Sequence, residues 1–402
     1  MILNSNKIVN SKSIGILTFQ KIENYGAALQ CYALWYYLKK QGYNVEIIDL
    51  LTPEHKRYIK SNKAVRINKN RNKILALVKT CYRKILQLIF YLSHHHDLAM
   101  RKKRFKEFYS LAFYSKQYSG FDEILDNPPL YDIYITGSDQ TWNPNICFDW
   151  EAYFLTFAPK NSRKIAYAPS IALREIPEEL KDHMKSWLAE YSAISCREQS
   201  GVEIIKKLTS MNVEHVADPT FLLTREQWTK LAILPSNKTK SYILCLWFCA
   251  GADLQAKLAF SKKLKKVSGK QVVILPTPGY SFPHVSELEI VFNSGPKEFI
   301  GLIANADMVL TNSFHGTAFA AFLATSFYVF LRNDAIDDRM ISLMKILKME
   351  DHIISSQTSI DITEIARCAP IDRKKLDDYL SNFRNKSIHF LLQALEGNTP
   401  SE

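Results

Sequence analysis

Short apolar runs alternate with amphipathic segments along most of this chain, and this alternation constrains the fold more than any other feature. The runs "SIGILTF" (13–19) and "VEIIDL" (45–50) are typical of buried strands, and the helical periodicity between them ends near Gly42. Strand, helix and strand in this order form a βαβ unit with parallel strands. The pattern resumes with strands in "YDIYITG", "SRKIAYAPSI" and "SAISCRE", and with helices over 177–191 and "GVEIIKKL". We therefore predict a parallel, doubly wound α/β domain over residues 1–222.

The same alternation starts again in the second half of the chain. Strands are predicted in "SYILCLWF", "QVVILP" and "DMVLT", separated by helical segments, which makes a second α/β domain over 223–375. A chain of 402 residues is long enough for two such cores. The last segment, 376–402, contains a helix that we expect to pack back over the first domain. Two facing domains of this kind form a cleft at the carboxyl ends of their strands, where ligands bind.

The cysteines and the N-terminal segment indicate the compartment. The seven cysteines are an odd number and are widely scattered, which favours reduced thiols over a disulfide framework. The N-terminal segment lacks a charged region followed by a continuous apolar run, so no secretory signal is predicted. The longest apolar candidate, "ILQLIFYLS" at 85–93, is far shorter than the roughly 20 residues that a spanning helix needs. We expect a cytoplasmic location.

The positive charge is concentrated in an insertion at 54–107. This segment holds sixteen Lys or Arg and three Asp or Glu, an excess of thirteen that accounts for the whole formal net charge of +12. Within it, 71–92 has the pattern of a basic amphipathic helix, with Lys73, Lys79, Arg83 and Lys84 on the polar face. Two interpretations stay open: a surface helix packed on its own domain, or a helix on an anionic membrane surface. Nucleic acid is not an expected partner, because no recognised binding motif accompanies the charge.

One turn in the second domain combines a histidine with anion-binding geometry. The segment "TNSFHGTAFAAFLA" (311–324) leaves a predicted strand at Thr311 and begins a helix, so His315 lies near a helix N-terminus. Free backbone N–H groups at such a position bind phosphate or carboxylate, and Asn312 and Ser313 are suitable N-cap residues. A histidine with an ordinary pKa of about 6.5 exchanges protons near neutrality. The alternative is a histidine that only hydrogen-bonds within its turn.

Two turns in the first domain have similar geometry. The strand in "YDIYITGSDQTWNP" ends before Ser138, Asp139 and Gln140, and "QKIENYGAALQ" places Asn24, Tyr25 and Gly26 at the first strand-to-helix turn. The second turn lacks the glycine spacing of dinucleotide sites and of P-loops. Because all three turns follow strand ends, we expect their side chains to line one cleft.

Seven stretches of this sequence resemble the polysaccharide pyruvyl transferase family. They occur in the family's order over most of the chain: "NYGAALQCYAL" (24–34), "YITGSDQTWNP" (134–144), "AYAPSIA" (166–172), "ISCREQSGVEIIKKL" (194–208), "VADPTFLL" (216–223), "TNSFHGTAFAAFLATSFYVFLR" (311–332) and "DRMISLMKIL" (338–347). Asn312 stands where the family commonly has Asp. The resemblance implies a fold similar to the two-domain B-type glycosyltransferases (GT-B). It implies transfer of a pyruvyl group from phosphoenolpyruvate to two hydroxyls of a sugar, with no metal and no further cofactor.

The resemblance and the chemistry of the donor together indicate roles for individual residues. His315 matches the family's histidine and is the candidate acid/base. The donor carries a carboxylate and a phosphate, which suit arginine forks. The second domain is the expected donor side, and the expected donor-binding residues are Arg197 of the first domain with Asn312, Ser313, Gly316, Thr317, Arg332 and Arg339 of the second. The expected acceptor-binding residues, on the first domain's side, are Asn24, Tyr25, Gly26, Ser138, Asp139 and Gln140.

The expected acceptor is a lipid-linked or soluble glycan, a precursor of a capsular or other surface exopolysaccharide. An enzyme acting on a lipid-linked glycan gains from a peripheral position at the inner face of the cytoplasmic membrane. Two alternatives remain, because a fold does not fix a reaction. One is a nucleotide-sugar-dependent glycosyltransferase, and the other is a non-catalytic glycan-binding assembly protein.

Overall fold

The computed structural model describes residues 12–51, 73–147, 149–235, 241–278, 282–283, 285–323, 326–355, 361–367 and 369–397. The side chains of 73–84 and of Leu86 lie outside the described set. Two parallel sheets form the framework, and each is built from the strands of one half of the chain.

The first sheet has seven parallel strands in the order β3-β2-β1-β4-β5-β6-β7. Their bounds are β1 Ser13–Leu17, β2 Asn44–Leu50, β3 Tyr114–Tyr118, β4 Ile133–Thr136, β5 Arg163–Ala166, β6 Ala193–Cys196 and β7 Val213–His215. Central strands such as "IYIT" (133–136) are buried along their whole length. Continuous apolar runs suit this position because helices cover both faces of a parallel sheet.

The second sheet has six parallel strands in the order β10-β9-β8-β11-β12-β13. Their bounds are β8 Tyr242–Trp247, β9 Gln271–Pro276, β10 Glu289–Ile290, β11 Met308–Thr311, β12 Phe327–Phe330 and β13 Ile353–Ile354. In both sheets the order reverses at the first strand, which defines a doubly wound, Rossmann-like topology. The predicted fold class is therefore confirmed.

Thirteen α-helices are assigned in the described part of the chain. Their bounds are α1 Tyr25–Lys40, α2 Lys73–Tyr109, α3 Phe121–Asp126, α4 Trp150–Tyr153, α5 Glu178–Leu188, α6 Gln199–Thr209, α7 Arg225–Leu231, α8 Gly251–Ser268, α9 Pro296–Ala304, α10 Phe314–Leu323, α11 Asp338–Leu347, α12 Ile362–Ala366 and α13 Arg373–Glu396. Short 3₁₀-helices cover Pro219–Leu222, Ala335–Asp337 and Glu350–His352.

Helix α2 contains most of the predicted basic helix and continues beyond it to Tyr109. The four predicted basic side chains, Lys73, Lys79, Arg83 and Lys84, lie outside the described residues. Among the described helices, none contains an apolar stretch of the length that a bilayer-spanning segment requires.

The last helix, α13, returns to the first sheet. The hydroxyl of Ser387 accepts a hydrogen bond from the backbone N–H of Ala217 at 2.8 Å, and Arg384 donates to the carbonyl of Leu222 at 2.9 Å. The ring of Phe390 packs near the ring of Tyr167, with 6.5 Å between centroids. Helix α13 therefore packs on the first domain.

A single hydrophobic cluster joins the two sheets. It contains Ile14 of β1 together with Leu244 of β8, and it includes the first turn of α1. There the ring of Tyr25 stacks on Phe299 of α9 at 4.9 Å and contacts Phe105 of α2 at 5.4 Å. The carboxyl ends of the two sheets are held against one another by this packing.

Candidate active site

His315 lies on the first turn of α10, directly after β11, as the sequence predicts. The turn is fixed by its own hydroxyl groups. Thr311 Oγ1 accepts from the N–H of Ser313 at 3.0 Å, and Ser313 Oγ accepts from the N–H of Gly316 at 3.3 Å. Ser313 therefore acts as the cap, and the histidine side chain is held at the carboxyl end of the second sheet.

The imidazole of His315 is buried between parts of the first domain. A Cβ built at Gly26 would collide with Nδ1 of the ring, so only glycine leaves room for the histidine there. On the other side, Nε2 lies 3.5 Å from Oδ2 of Asp218. The motifs at 24–34, 216–223 and 311–332 thus meet at one imidazole ring.

Asp218 was not among the residues predicted from the sequence. Its carboxylate is completely buried and accepts hydrogen bonds from Thr220, Ser138 and Arg197. Burial by itself raises the pKa of Asp218, but His315 and Arg197 outweigh it and hold that pKa well below its usual range. The sequence signal for Asp218 was an aspartate followed by a proline, Pro219, just after a strand. Both residues lie in "VADPTFLL" (216–223), one of the stretches that resemble the family.

Arg197 is fully enclosed at the end of β6. Its Nη1 donates to Asp218 at 3.0 Å, and its Nη2 lies 3.5 Å from Oδ1 of Asp139. Burial opposes the charge of the guanidinium, but these two carboxylates outweigh it and raise the pKa of Arg197. The guanidinium also lies over the ring of Phe314, 4.3 Å from its centroid.

Arg339 approaches the same ring, with Cζ 6.0 Å from the centroid of Phe314. Its Nε donates to the carbonyl of Ile336 at 3.2 Å. No ion pair joins it to a carboxylate among the described residues. Burial, reinforced by the charge of Arg197, lowers the pKa of Arg339 to about 10. This guanidinium therefore carries a positive charge that the described side chains compensate only in part.

The backbone around this cluster adopts left-handed conformations at non-glycine residues. Asp139 has φ 75°, Ala168 has φ 57° and Ala172 has φ 51°. Glu198, completely buried, accepts hydrogen bonds from the N–H groups of Ile171 and Ala172 at 2.8 and 3.1 Å. Such conformations cost energy and persist where the surroundings fix them, which is typical of functional sites.

The predicted acceptor residues do not all face one space. Ser138 is buried and donates to Oδ2 of Asp218 at 2.8 Å, so it joins the His315 cluster together with Gly26 and Asp139. Asn24 caps α1 by accepting from the N–H of Ala27 at 3.2 Å. The hydroxyl of Tyr25 donates to the carbonyl of Ser294 at 3.2 Å, and Gln140 accepts from Asn143 at 3.0 Å.

The remaining predicted donor residues lie on the second domain. Asn312 is bound to the backbone of Phe248 after β8, and its Oδ1 accepts the N–H at 2.7 Å. Thr317 is buried and donates to the carbonyl of Ser313 at 3.0 Å. Gly316, beside it, lies on the first turn of α10.

Arg332 is exposed and donates to the carbonyls of Phe248 and Asn312. It lines a cavity of about 750 Å³ that also contacts Cys249, Lys257 and Phe330. Arg332 is therefore the predicted donor residue that borders open space, whereas Arg197 and Arg339 are enclosed.

The cluster contains groups for proton transfer and for binding an anion. An imidazole next to a buried carboxylate exchanges protons, and guanidinium groups bind phosphate and carboxylate. Among the described residues no group of His, Cys, Asp and Glu has the arrangement of a metal site, and this includes the run at His94–His96.

Fold and site together define a two-domain α/β protein with two Rossmann-like sheets and an acid/base cluster where their carboxyl ends meet. The family model described as polysaccharide pyruvyl transferase matches residues 24–334, which is more than half of the chain. The chain belongs to the polysaccharide pyruvyl transferase family, whose members are transferases acting on polysaccharides. No curated protein sequence matches it at a significant level.

Among solved structures, several align with this chain over nearly its whole length at low identity. A UDP-N-acetylglucosamine 2-epimerase from Rickettsia bellii aligns with a TM-score of 0.48 and 11% identity, over 96% of this chain and 97% of the other. The spinosyn forosaminyltransferase SpnP aligns with a TM-score of 0.45 and 9% identity, over 96% of this chain and 98% of the other. A mutant O-GlcNAc transferase from Thermobaculum terrenum aligns with a TM-score of 0.44 and 11% identity, over 96% of this chain and 66% of the other.

Proposed function

We propose that this protein transfers a pyruvyl group from phosphoenolpyruvate to two hydroxyls of a sugar in a surface-polysaccharide precursor. The product is a cyclic pyruvate ketal, and phosphate is released. The observation that carries the proposal is the placement of His315 between Asp218 and Gly26, beside two buried guanidinium groups at Phe314. Membership of the pyruvyl transferase family supports the same reaction.

The reaction needs one acid/base in a site that binds anions. The imidazolium of His315 donates a proton to the methylene carbon of phosphoenolpyruvate, which creates an oxocarbenium-like centre at the adjacent carbon. The first sugar hydroxyl attacks that centre and its proton returns to His315. The C–O bond to phosphate then breaks with its electron pair on phosphate, and the second hydroxyl closes the ketal, its proton leaving with the phosphate.

Three arginines are proposed to bind the donor. Arg339 is the strongest candidate of the three, because its buried charge has no carboxylate ion pair among the described residues. A carboxylate or a phosphate of the donor supplies the missing negative charge. Arg332 borders a cavity, and Arg197, enclosed between two carboxylates and lying over the ring of Phe314, contributes positive potential to the site.

The test is the activity of His315→Ala. We expect a loss of at least about a hundredfold in phosphate release from phosphoenolpyruvate, since general acid/base catalysis contributes about 10²–10⁴. His183→Ala, at an exposed residue of α5, is the matched control and keeps wild-type turnover. Mass spectrometry of a panel of glycan acceptors identifies the ketal product. Near-wild-type turnover in His315→Ala removes this histidine from the mechanism.

The same panel separates the two alternatives. Sugar transfer from a nucleotide sugar, without phosphate release from phosphoenolpyruvate, identifies a glycosyltransferase. Glycan binding without either reaction identifies a non-catalytic assembly protein.

A second proposal concerns the place where the enzyme works. We propose that α2 contacts an anionic membrane surface, where a lipid-linked acceptor is presented. Leu88, Ile89 and Leu92 of this helix are 57%, 53% and 61% exposed, although they are large apolar side chains. The surrounding sequence, 54–107, has thirteen more basic than acidic residues. Apolar side chains flanked by basic ones suit the headgroup region of anionic lipid.

Vesicle cosedimentation tests this contact. We expect binding to vesicles that contain phosphatidylglycerol, weaker binding as salt rises, and none to neutral phosphatidylcholine vesicles. The double variant Leu88→Gln with Leu92→Gln abolishes vesicle binding. Leu130 is 78% exposed and lies outside α2, so the control Leu130→Gln leaves vesicle binding unchanged. Equal binding to both lipids, or self-association through α2 instead, overturns the proposal.

A further inference from the structure

We propose that Asp218 is a positioning residue for His315, holding the ring with its Nε2–H directed at the carboxylate so that Nδ1 exchanges protons with the substrates. The catalytic consequence rests on the proposed function, whereas the placement of the proton on the ring does not.

The carboxylate of Asp218 is immobilised through both oxygens. Oδ1 accepts from the backbone N–H of Thr220 at 3.0 Å and from its hydroxyl at 2.8 Å. Oδ2 accepts from Ser138 at 2.8 Å and from Arg197 at 3.0 Å. A carboxylate bound in this way cannot rotate away from the imidazole, which makes it suited to fixing the orientation of a neighbour.

The ring of His315 has one unmatched polar atom facing this carboxylate. Nε2 is buried and forms no hydrogen bond with a described residue, and Oδ2 of Asp218 lies 3.5 Å away. A shift of a few tenths of an ångström closes this distance to a hydrogen bond, and such bonds are commonly long before substrate binds. Gly26 packs against the ring at Nδ1, where a Cβ would come within 1.9 Å of that atom, and so helps to hold the ring in place.

The surrounding charges give Asp218 a second effect on the ring. The guanidinium groups of Arg197 and Arg339 both lie near the ring of Phe314, next to His315 in the chain. Among the described residues, Asp218 is the carboxylate in ion-pair distance of the imidazole, while Asp139 lies against Arg197. The negative charge of Asp218 therefore offsets the positive charges that surround the imidazole.

A purely structural role for Asp218, as the counter-ion of Arg197, makes a different prediction. Asp139 also lies against Arg197, at 3.5 Å, but is not paired with the histidine. Asp139→Asn is therefore a matched control that removes one carboxylate from the arginine and leaves the imidazole contact in place.

The experiment is an NMR measurement of the histidine ring nitrogens in the ¹⁵N-labelled full chain, at a pH where the ring is neutral, with the His315 signals assigned by their loss in His315→Gln. In the wild type we expect the neutral ring to carry its proton on Nε2. In Asp218→Asn the amide N–H₂ donates to Nε2, so we expect the ring proton to move to Nδ1, whereas Asp139→Asn keeps it on Nε2. In Asp218→Asn, kcat falls more than about tenfold with little change in KM for phosphoenolpyruvate.

Two results overturn the inference. One is a wild-type ring that carries its proton on Nδ1, a measurement that needs no variant and holds even if Asp218→Asn does not fold. The other is a folded Asp218→Asn whose neutral His315 ring keeps its proton on Nε2, as in the wild type. If the wild type turns over no phosphoenolpyruvate while the ring proton is placed as expected, the proposed function fails and the His315–Asp218 pair stands.

Discussion

At the residue scale, the two arginines on Phe314 differ in how their charge is compensated. Arg197 has two carboxylates within 3.5 Å, and their charge raises its pKa. Arg339 has a carbonyl at 3.2 Å, and burial next to Arg197 lowers its pKa to about 10. A buried charge without a partner costs stability, and it is retained where a ligand supplies the partner.

Arg339→Met is expected to separate stability from donor binding. Without ligand, the melting temperature stays at or above the wild-type value, because an incompletely compensated charge is removed from the interior. The rise in melting temperature that phosphoenolpyruvate produces in the wild type is lost. Calorimetric scans with and without the donor measure both effects.

Arg163→Met is the control for this prediction. Arg163 begins β5, at the end of the sheet opposite to the site, and donates to the carbonyl of Leu395 at 3.1 Å. Its substitution should keep the ligand-induced shift. A destabilised Arg339→Met that still responds fully to phosphoenolpyruvate would assign Arg339 a structural role.

At the element scale, helix α9 packs against the chain segment that follows α7. The N–H of Ile233 donates to the carbonyl of Lys297 at 3.0 Å. A Cβ built at Gly301 would collide with the backbone carbonyl of Ile233. The backbones of α9 and of the segment at Ile233 can therefore approach each other closely only because Gly301 has no side chain. A methyl group at position 301 forces α9 away from that segment.

Gly301→Ala is expected to lower the free energy of unfolding by about 1–3 kcal/mol, the usual range for overpacking a close contact. The gain in helix propensity, up to about 1 kcal/mol, offsets part of this cost. Urea denaturation measures the difference. Gly120→Ala is the matched control, since its Cβ meets no atom within 4 Å and φ is 175°. Equal stability of the two variants would contradict the close approach.

At the scale of the whole molecule, the two sheets share one hydrophobic core cluster in addition to a smaller cluster that belongs to each sheet alone. One cluster contains Ile135 of β4 and Val309 of β11, and the rings of Tyr25 and Phe299 meet within it. Helix α2 adds an ion pair from Arg104 to the buried Glu298 at 3.2 Å, and α13 returns to the first sheet. Separating the domains would expose apolar surface that both share.

Thermal unfolding is therefore expected to occur as one cooperative transition in spite of the two sheets. Differential scanning calorimetry should give a single peak, with the calorimetric enthalpy equal to the van't Hoff enthalpy. Two resolved transitions, or a calorimetric enthalpy well above the van't Hoff value, would show that the domains unfold independently.

The amino-acid sequence was enough to predict the order of most central elements and the turn that carries His315. The central strands are buried on both faces, so they stand out as continuous apolar runs, and a helix start such as Asn24 depends only on neighbouring residues. Five strands were not predicted: β3, β7, β10, β12 and β13. The segment "YSKQY" and strands of two or three residues carry no distinct apolar pattern, and "FYVF" of β12 follows an apolar helix so closely that it does not form a separate run.

The pairing of the site residues was decided by the tertiary structure alone. Asp139, Arg197 and Asp218 follow β4, β6 and β7, and His315 follows β11 of the other sheet. The order of strands within a sheet and the packing of one sheet against the other determine which of these side chains touch. The sequence specifies which polar side chains follow each strand. Hydrophobic burial between distant segments then determines which of these side chains come into contact. This packing placed Asp218 beside His315.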